Sequence, residues 1–115
     1  MLIGVPKEIK VHEYRVGLTP ASVQELTSRG HQVVVEQGAG LGIGFSDTDY
    51  MRAGAGIGSV DDAFAADLVV KVKEPQAVER KMLREGQVLF TGGEVVQLEV
   101  ESHGIERLRH RQQRR

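Results

Sequence analysis

Asp67-Leu68-Val69-Val70-Lys71-Val72-Lys73-Glu74-Pro75 is an apolar run that ends in two lysines and is stopped by a proline. Four apolar or β-branched positions in succession, bounded by an aspartate and by a residue that cannot continue a central strand, read as a strand of a parallel sheet covered on both faces. Side chains two apart share one side of a strand, so Lys71 and Lys73 fall together, with Lys73 at the tip where strand becomes loop. In open α/β sheets, ligands collect outside the carboxyl ends of the strands, and a cation there suits an anionic small molecule. The same spacing fits a solvated edge strand whose lysines guard against aggregation. Spacing alone does not choose between the two.

Upstream of this strand the chain alternates strand and helix. Residues 2–5 form a short apolar strand closed by Pro6, followed by a loop dense in charge from Lys7 to Arg15. A loop leaving the carboxyl end of a strand in such a sheet carries function more often than others do. Thr19-Pro20 starts a helix, because threonine caps free amides and proline at the first helical position has no amide to lose. That helix runs to about Arg29 with Val23 and Leu26 inward, and Gly30 stops it. His31 to Glu36 is the next strand, so residues 2–36 make a parallel β-α-β unit.

Gly38-Ala39-Gly40-Leu41-Gly42-Ile43-Gly44 follows a strand and invites a dinucleotide reading. The spacing fails: the third required glycine falls on Ile43 in one register and on Phe45 in the other. Ser46 caps a short helix carrying Asp47 and Asp49 in its first turn, and Ser59 opens another with Phe64 inward. Downstream of Pro75, residues 77–84 read as a helix ended by Gly86, and residues 88–90 as a strand. Val95 to Val100 suit a further strand or short helix, while residues 104–115, with five arginines, suggest a disordered basic end. The expected class is α/β, a mainly parallel sheet with flanking helices of a partial Rossmann-like or flavodoxin-like kind.

A chain of 115 residues fits one domain with a real core and is short for a two-domain enzyme. Its net charge of -1 gives no overall field for nucleic acid, and the arginine-rich end has no aromatic residue on which bases could stack. With no cysteine, disulfides and thiol chemistry are excluded. The amino terminus lacks the basic leader of a signal peptide, and no stretch reaches the roughly 20 apolar residues of a membrane span. The expectation is a cytoplasmic protein without membrane or nucleic-acid partner. His12, His31, His103 and His110 lack ligand spacing, so no metal site is expected, and no nucleophilic triad is supported. What remains is a set of cations on loops after strands: Lys7 and Arg15 after the first, Lys73 after the third. Arginine offers a planar fork to a carboxylate and lysine a compact charge that also donates to a carbonyl. A small carboxylic acid with a neighbouring carbonyl would use both.

Several motifs carry a resemblance: Ile3-Gly4-Val5-Pro6-Lys7-Glu8, Glu13-Tyr14-Arg15-Val16-Gly17-Leu18-Thr19-Pro20, Arg29-Gly30-His31, Gly38-Ala39-Gly40, Lys71-Val72-Lys73-Glu74-Pro75 and Leu83-Arg84-Glu85-Gly86-Gln87-Val88-Leu89-Phe90-Thr91. In this order they resemble the amino-terminal part of the alanine dehydrogenase and pyridine nucleotide transhydrogenase family, over residues 1–91. The lysine pair before proline sides with alanine dehydrogenase over the transhydrogenase α-subunit. The resemblance implies interconversion of L-alanine with pyruvate and ammonia using NAD, with Arg15 and Lys73 at the positions that hold the substrate's carboxylate and carbonyl. It also implies a cofactor held on a separate Rossmann domain, and assembly into oligomers, commonly hexamers.

From Gly92 onward the chain departs from that family. Gly92, Gly93 and Glu94 stand where members carry a bulky residue, a leucine and the catalytic histidine. A glutamate does not replace an imidazole in the same proton transfer near neutral pH. The expectation is therefore a substrate-domain segment over residues 1–91 and a divergent basic tail over 92–115. Such a chain, truncated relative to the family, has no catalytic residue of its own, binds no NAD alone and is inactive alone. The rival readings are a non-catalytic small-carboxylate binding module and a transhydrogenase α-subunit-like fragment.

Overall fold

A computed structural model describes the backbone of residues 1–101 and 104–111, and the side chains as far as residue 98. The elements in chain order are β1 (Leu2–Val5), α1 (Pro20–Ser28), β2 (Gln32–Glu36), α2 (Asp47–Arg52), β3 (Gly56–Gly58), α3 (Val60–Phe64), β4 (Leu68–Lys71), α4 (Ala77–Arg80), β5 (Val88–Thr91), β6 (Glu94–Glu101) and β7 (Gly104–Arg111). One sheet joins all seven strands in the order β3-β2-β1-β4-β5-β6-β7. The first five pair in parallel and the last two antiparallel. The parallel part has the Rossmann order of strands, with the reversal of winding between β1 and β4.

Helix starts follow the caps legible in the sequence. Thr19 accepts from the Ser22 amide ahead of Pro20, and Ser46 and Ser59 each form a reciprocal capping box with Asp49 and Asp62. Those backbone hydrogen bonds, made first to Ser46 and to Ser59, hold both aspartates below the usual carboxylate range. The two sheet faces bury separate cores. Ile3, Val5, Val33, Val35 and Val70 pack with Val23 and Tyr50 on one, and Val69, Leu89, Val96 and Leu98 pack with Phe64 and Leu83 on the other. Val69 and Val70 thus point to opposite faces, as expected of a strand covered on both sides. Tyr50 ties α2 to the segment before α1, its hydroxyl donating to the Leu18 carbonyl at 2.7 Å. Burial, and then the nearby Asp49 charge, push that phenol up to about 12.

Four features differ from the sequence expectation. Gly56–Gly58 is a short edge strand beside β2, with too few side chains to show a period. The helix expected over 77–84 ends at Arg80, and Val78 is exposed. Lys71 and Lys73 do not share a solvated edge, because β4 lies between β1 and β5, so the edge-guard reading falls.

The fourth concerns the divergent basic tail of residues 92–115, where the strand alternative for Val95 to Val100 is realised as β6 and the disorder expected of residues 104–115 is replaced, over the described part, by the antiparallel strand β7. Gly92 and Gly93, both at positive φ, make the two-residue turn that pairs Thr91 with Glu94. Val96 and Leu98 then alternate into the core. Residues 102, 103 and 112–115 of the expected tail lie outside the described residues.

Candidate functional site

Lys71 is 3% exposed and buried between two carboxylates, with its Nζ 3.1 Å from Glu8 Oε1 and 3.1 Å from Glu79 Oε2. Glu8 leaves the carboxyl end of β1 and lies against the end of β4. Its Oε2 accepts the Val72 amide at 2.9 Å, and its Oε1 accepts the Lys73 amide at 3.2 Å in addition to the ammonium. Glu79 accepts the Gln76 amide through Oε1, while its Oε2, though close to Lys71, makes no aligned hydrogen bond among the described residues. The buried lysine therefore anchors the loop after β4 and does not face a ligand. Sequence reading left Lys71 without a role, since neither glutamate is marked by spacing.

Beyond this anchor, Arg15 and Lys73 line one open cleft of about 400 Å³, together with Lys10, His12, Glu13 and Tyr14. The cleft sits outside the carboxyl ends of β1 and β4, at the switch point where open α/β sheets bind ligands. Arg15 is held side-on by Glu13, with Nε 3.0 Å from Oε2 and Nη2 2.8 Å from Oε1. The Arg15 amide donates to the same carboxylate at 2.9 Å. Those bonds to the Arg15 side chain and then its backbone lower the Glu13 carboxyl to about 2, and the side-chain bond, with the Glu13 charge, raises the guanidinium. Lys10 is likewise paired, 2.6 Å from Glu74, whose carboxyl the Lys10 hydrogen bond holds low. Among the described residues the Lys73 ammonium has no ion pair or side-chain hydrogen bond. Among the residues that line the cleft, Lys10, Arg15 and Lys73 are cations and Glu13 is a carboxylate, while Glu74 pairs with Lys10 from outside the lining.

The backbone that presents these groups is tightly specified. The Glu13 amide donates to the Lys10 carbonyl at 3.0 Å, closing a turn in which His12 takes φ 64, a conformation glycine usually fills. His12 Nδ1 lies 3.4 Å from the Tyr14 hydroxyl. Lys7, the other cation expected on this loop, is not among the residues lining the cleft. It lines a neighbouring hollow of about 280 Å³ that Glu13, Tyr14 and Arg15 also line, opposite Ala39, Leu41 and Gly42, and its amide donates to Glu36 at the end of β2.

The glycine-rich loop after β2 supports this arrangement and does not fit a dinucleotide. A Cβ at Gly42 would stand 2.7 Å from the Tyr14 carbonyl oxygen, so glycine is required there for the loop to pack against the Arg15 segment. The Gly38 amide, which could face a phosphate, already donates to Asp47 Oδ1 at 2.9 Å, and that carboxylate would repel an anion. Among the described residues, no group of three acidic, histidine or cysteine side chains is placed to hold a metal ion. Among them too, no helix is long and apolar enough to cross a membrane.

A doubly wound α/β domain with a cationic crevice at its switch point is the class that fold and site define. The family model described as alanine dehydrogenase/PNT, N-terminal domain, matches residues 4–113, and the chain belongs to that family. Alanine dehydrogenase of Mycobacterium tuberculosis is 52% identical over 93 residues, covering 79% of this chain and 25% of that protein. The Halomonas elongata alanine dehydrogenase is 54% identical over 96 residues, with the same coverage of 79% and 25%. Among solved structures, an L-alanine dehydrogenase superposes with a TM-score of 0.78 at 52% identity over 79% of this chain and 26% of that one. A transhydrogenase from Sinorhizobium meliloti follows at 0.76 and 41%, again over 79% of this chain and 26% of that one. The chain thus spans about a quarter, 25%, of the length of these curated relatives.

Proposed function

We propose that residues 1–91 are the substrate-binding segment of an NAD-dependent alanine dehydrogenase, in which Arg15 receives the carboxylate and Lys73 the carbonyl region of pyruvate or L-alanine. The observation that carries this reading is that two cations from different loops meet in one cleft at the switch point, with Lys73 unpaired among the described residues. A planar guanidinium matches a carboxylate and a lysine ammonium can donate to a carbonyl. Hydride transfer is assigned to a nicotinamide held by a separate domain, in a cytoplasmic oligomer. Among the described residues no group is fitted to NAD, and Glu94 stands where the resemblance places the family's proton-transferring histidine, so in this reading the chain alone binds and does not oxidise.

Titration of pyruvate against the chain tests the assignment. Arg15→Ala and Lys73→Ala are each expected to weaken binding about tenfold or more, the worth of a charge-assisted hydrogen bond. Equal affinity of both variants and the unaltered chain would sink the assignment. The transhydrogenase reading keeps support from the fold similarity to the Sinorhizobium meliloti protein. A neighbouring gene for a membrane partner would favour it.

A further inference from the structure

We propose that Glu13 is a positioning residue, which holds the Arg15 guanidinium so that its end-on edge faces the cleft. The inference rests on the assignment of Arg15 to the substrate carboxylate. Glu13 occupies only the side-on edge of the guanidinium, through Nε and Nη2. Nη1 and the second Nη2 hydrogen are left, and these form the other planar fork that a carboxylate can grip bidentately. Glu13 is itself fixed: its side chain is 5% exposed, against 63% for Arg15, and it takes the Arg15 amide as well as the side chain. Of its three hydrogen bonds, the one from the Arg15 backbone amide fixes the carboxylate independently of the guanidinium, so that within a closed turn it can aim the Arg15 side chain. Without Glu13 the long arginine side chain would sample several rotamers, and binding would have to order it.

Electrostatics alone predicts the opposite sign, and this makes the role testable. Removing the Glu13 charge leaves the cleft more positive, so Glu13→Gln should bind any anion more tightly if Glu13 merely competes for Arg15 or dilutes the field. Positioning predicts a loss for a planar carboxylate together with a gain, or no change, for a spherical ion.

The experiment measures pyruvate and chloride affinity of the unaltered chain, Glu13→Gln and Arg15→Ala, with amide spectra to establish that each is folded. The Arg15 Nε–H signal reports the order of the side chain. The expected result is pyruvate binding weakened about fivefold in Glu13→Gln, the loss of a charge-assisted contact's geometry, with chloride affinity undiminished and the Nε–H signal broadened. Pyruvate affinity unchanged or tightened in Glu13→Gln, while Arg15→Ala weakens it, would overturn the positioning role alone. Pyruvate affinity indifferent to Arg15→Ala, or absent from the unaltered chain, would overturn the clamp and this role with it.

Discussion

Lys71 shows how a charge becomes structural. Its ammonium meets Glu8 and Glu79 with all three residues at most 7% exposed, so each depends on the others for the solvation that water would supply. Lys71→Met would leave two carboxylates facing each other without their cation, and about 3 kcal/mol or more of stability should be lost in urea unfolding. A loss of under about 1 kcal/mol would mean that the pair behaves like a surface bridge. Glu13 answers to a different measurement. Its carboxyl, lowered to about 2 from 4.5 chiefly by the Arg15 side chain, contributes stability that is complete above the ordinary carboxylate range. That contribution is lost as pH falls through about 2. Its partner Arg15 is mostly exposed, so solvent screens the effect on global stability, and the reporter is the side-chain carboxyl resonance. In Arg15→Ala its midpoint should return toward 4.5, and a midpoint that stays near 2 would show that Arg15 is not the cause.

At the scale of elements, the hairpin of β5 and β6 depends on its turn. Gly92 and Gly93 have φ 57 and 80, and a β-branched residue resists that region. Gly93→Val should therefore cost about 1–2 kcal/mol and speed hydrogen exchange at the Leu98 amide, which donates to the Gln87 carbonyl. An unchanged exchange rate would show that strand packing, not the turn, sets the pairing. Legibility differed between elements for physical reasons. Thr19, Ser46 and Ser59 announced their helices because a cap is a local hydrogen bond between residues three apart. The hairpin also had a local signal, a glycine pair between two apolar runs, which sequence reading passed over. In the structure, Val96 and Leu98 supply enough buried apolar surface to order the segment.

For the whole molecule, the sheet order gathers residues far apart in sequence and also limits what they can do. If the proposed reading holds, incubating the purified 115-residue chain with L-alanine and NAD should yield no NADH, because that reading places the nicotinamide on a separate domain and Glu94 at the position of the proton-transferring histidine. Sustained NADH formation would contradict the proposed assignment of hydride transfer to a separate domain.

The strands β1, β2, β4 and β5, the caps of the first three helices and the parallel class of the sheet were legible along the chain, since each rests on neighbours within a few positions, and spacing made Arg15 and Lys73 candidates. The meeting of Arg15 with Lys73 and the burial of Lys71 against Glu8, 63 residues away, were not. Spacing records which face a side chain takes, whereas the partner on that face depends on which strands become neighbours. That was settled only when β1 and β4 came together at the switch point and placed the loop from Lys7 to Arg15 over the end of β4.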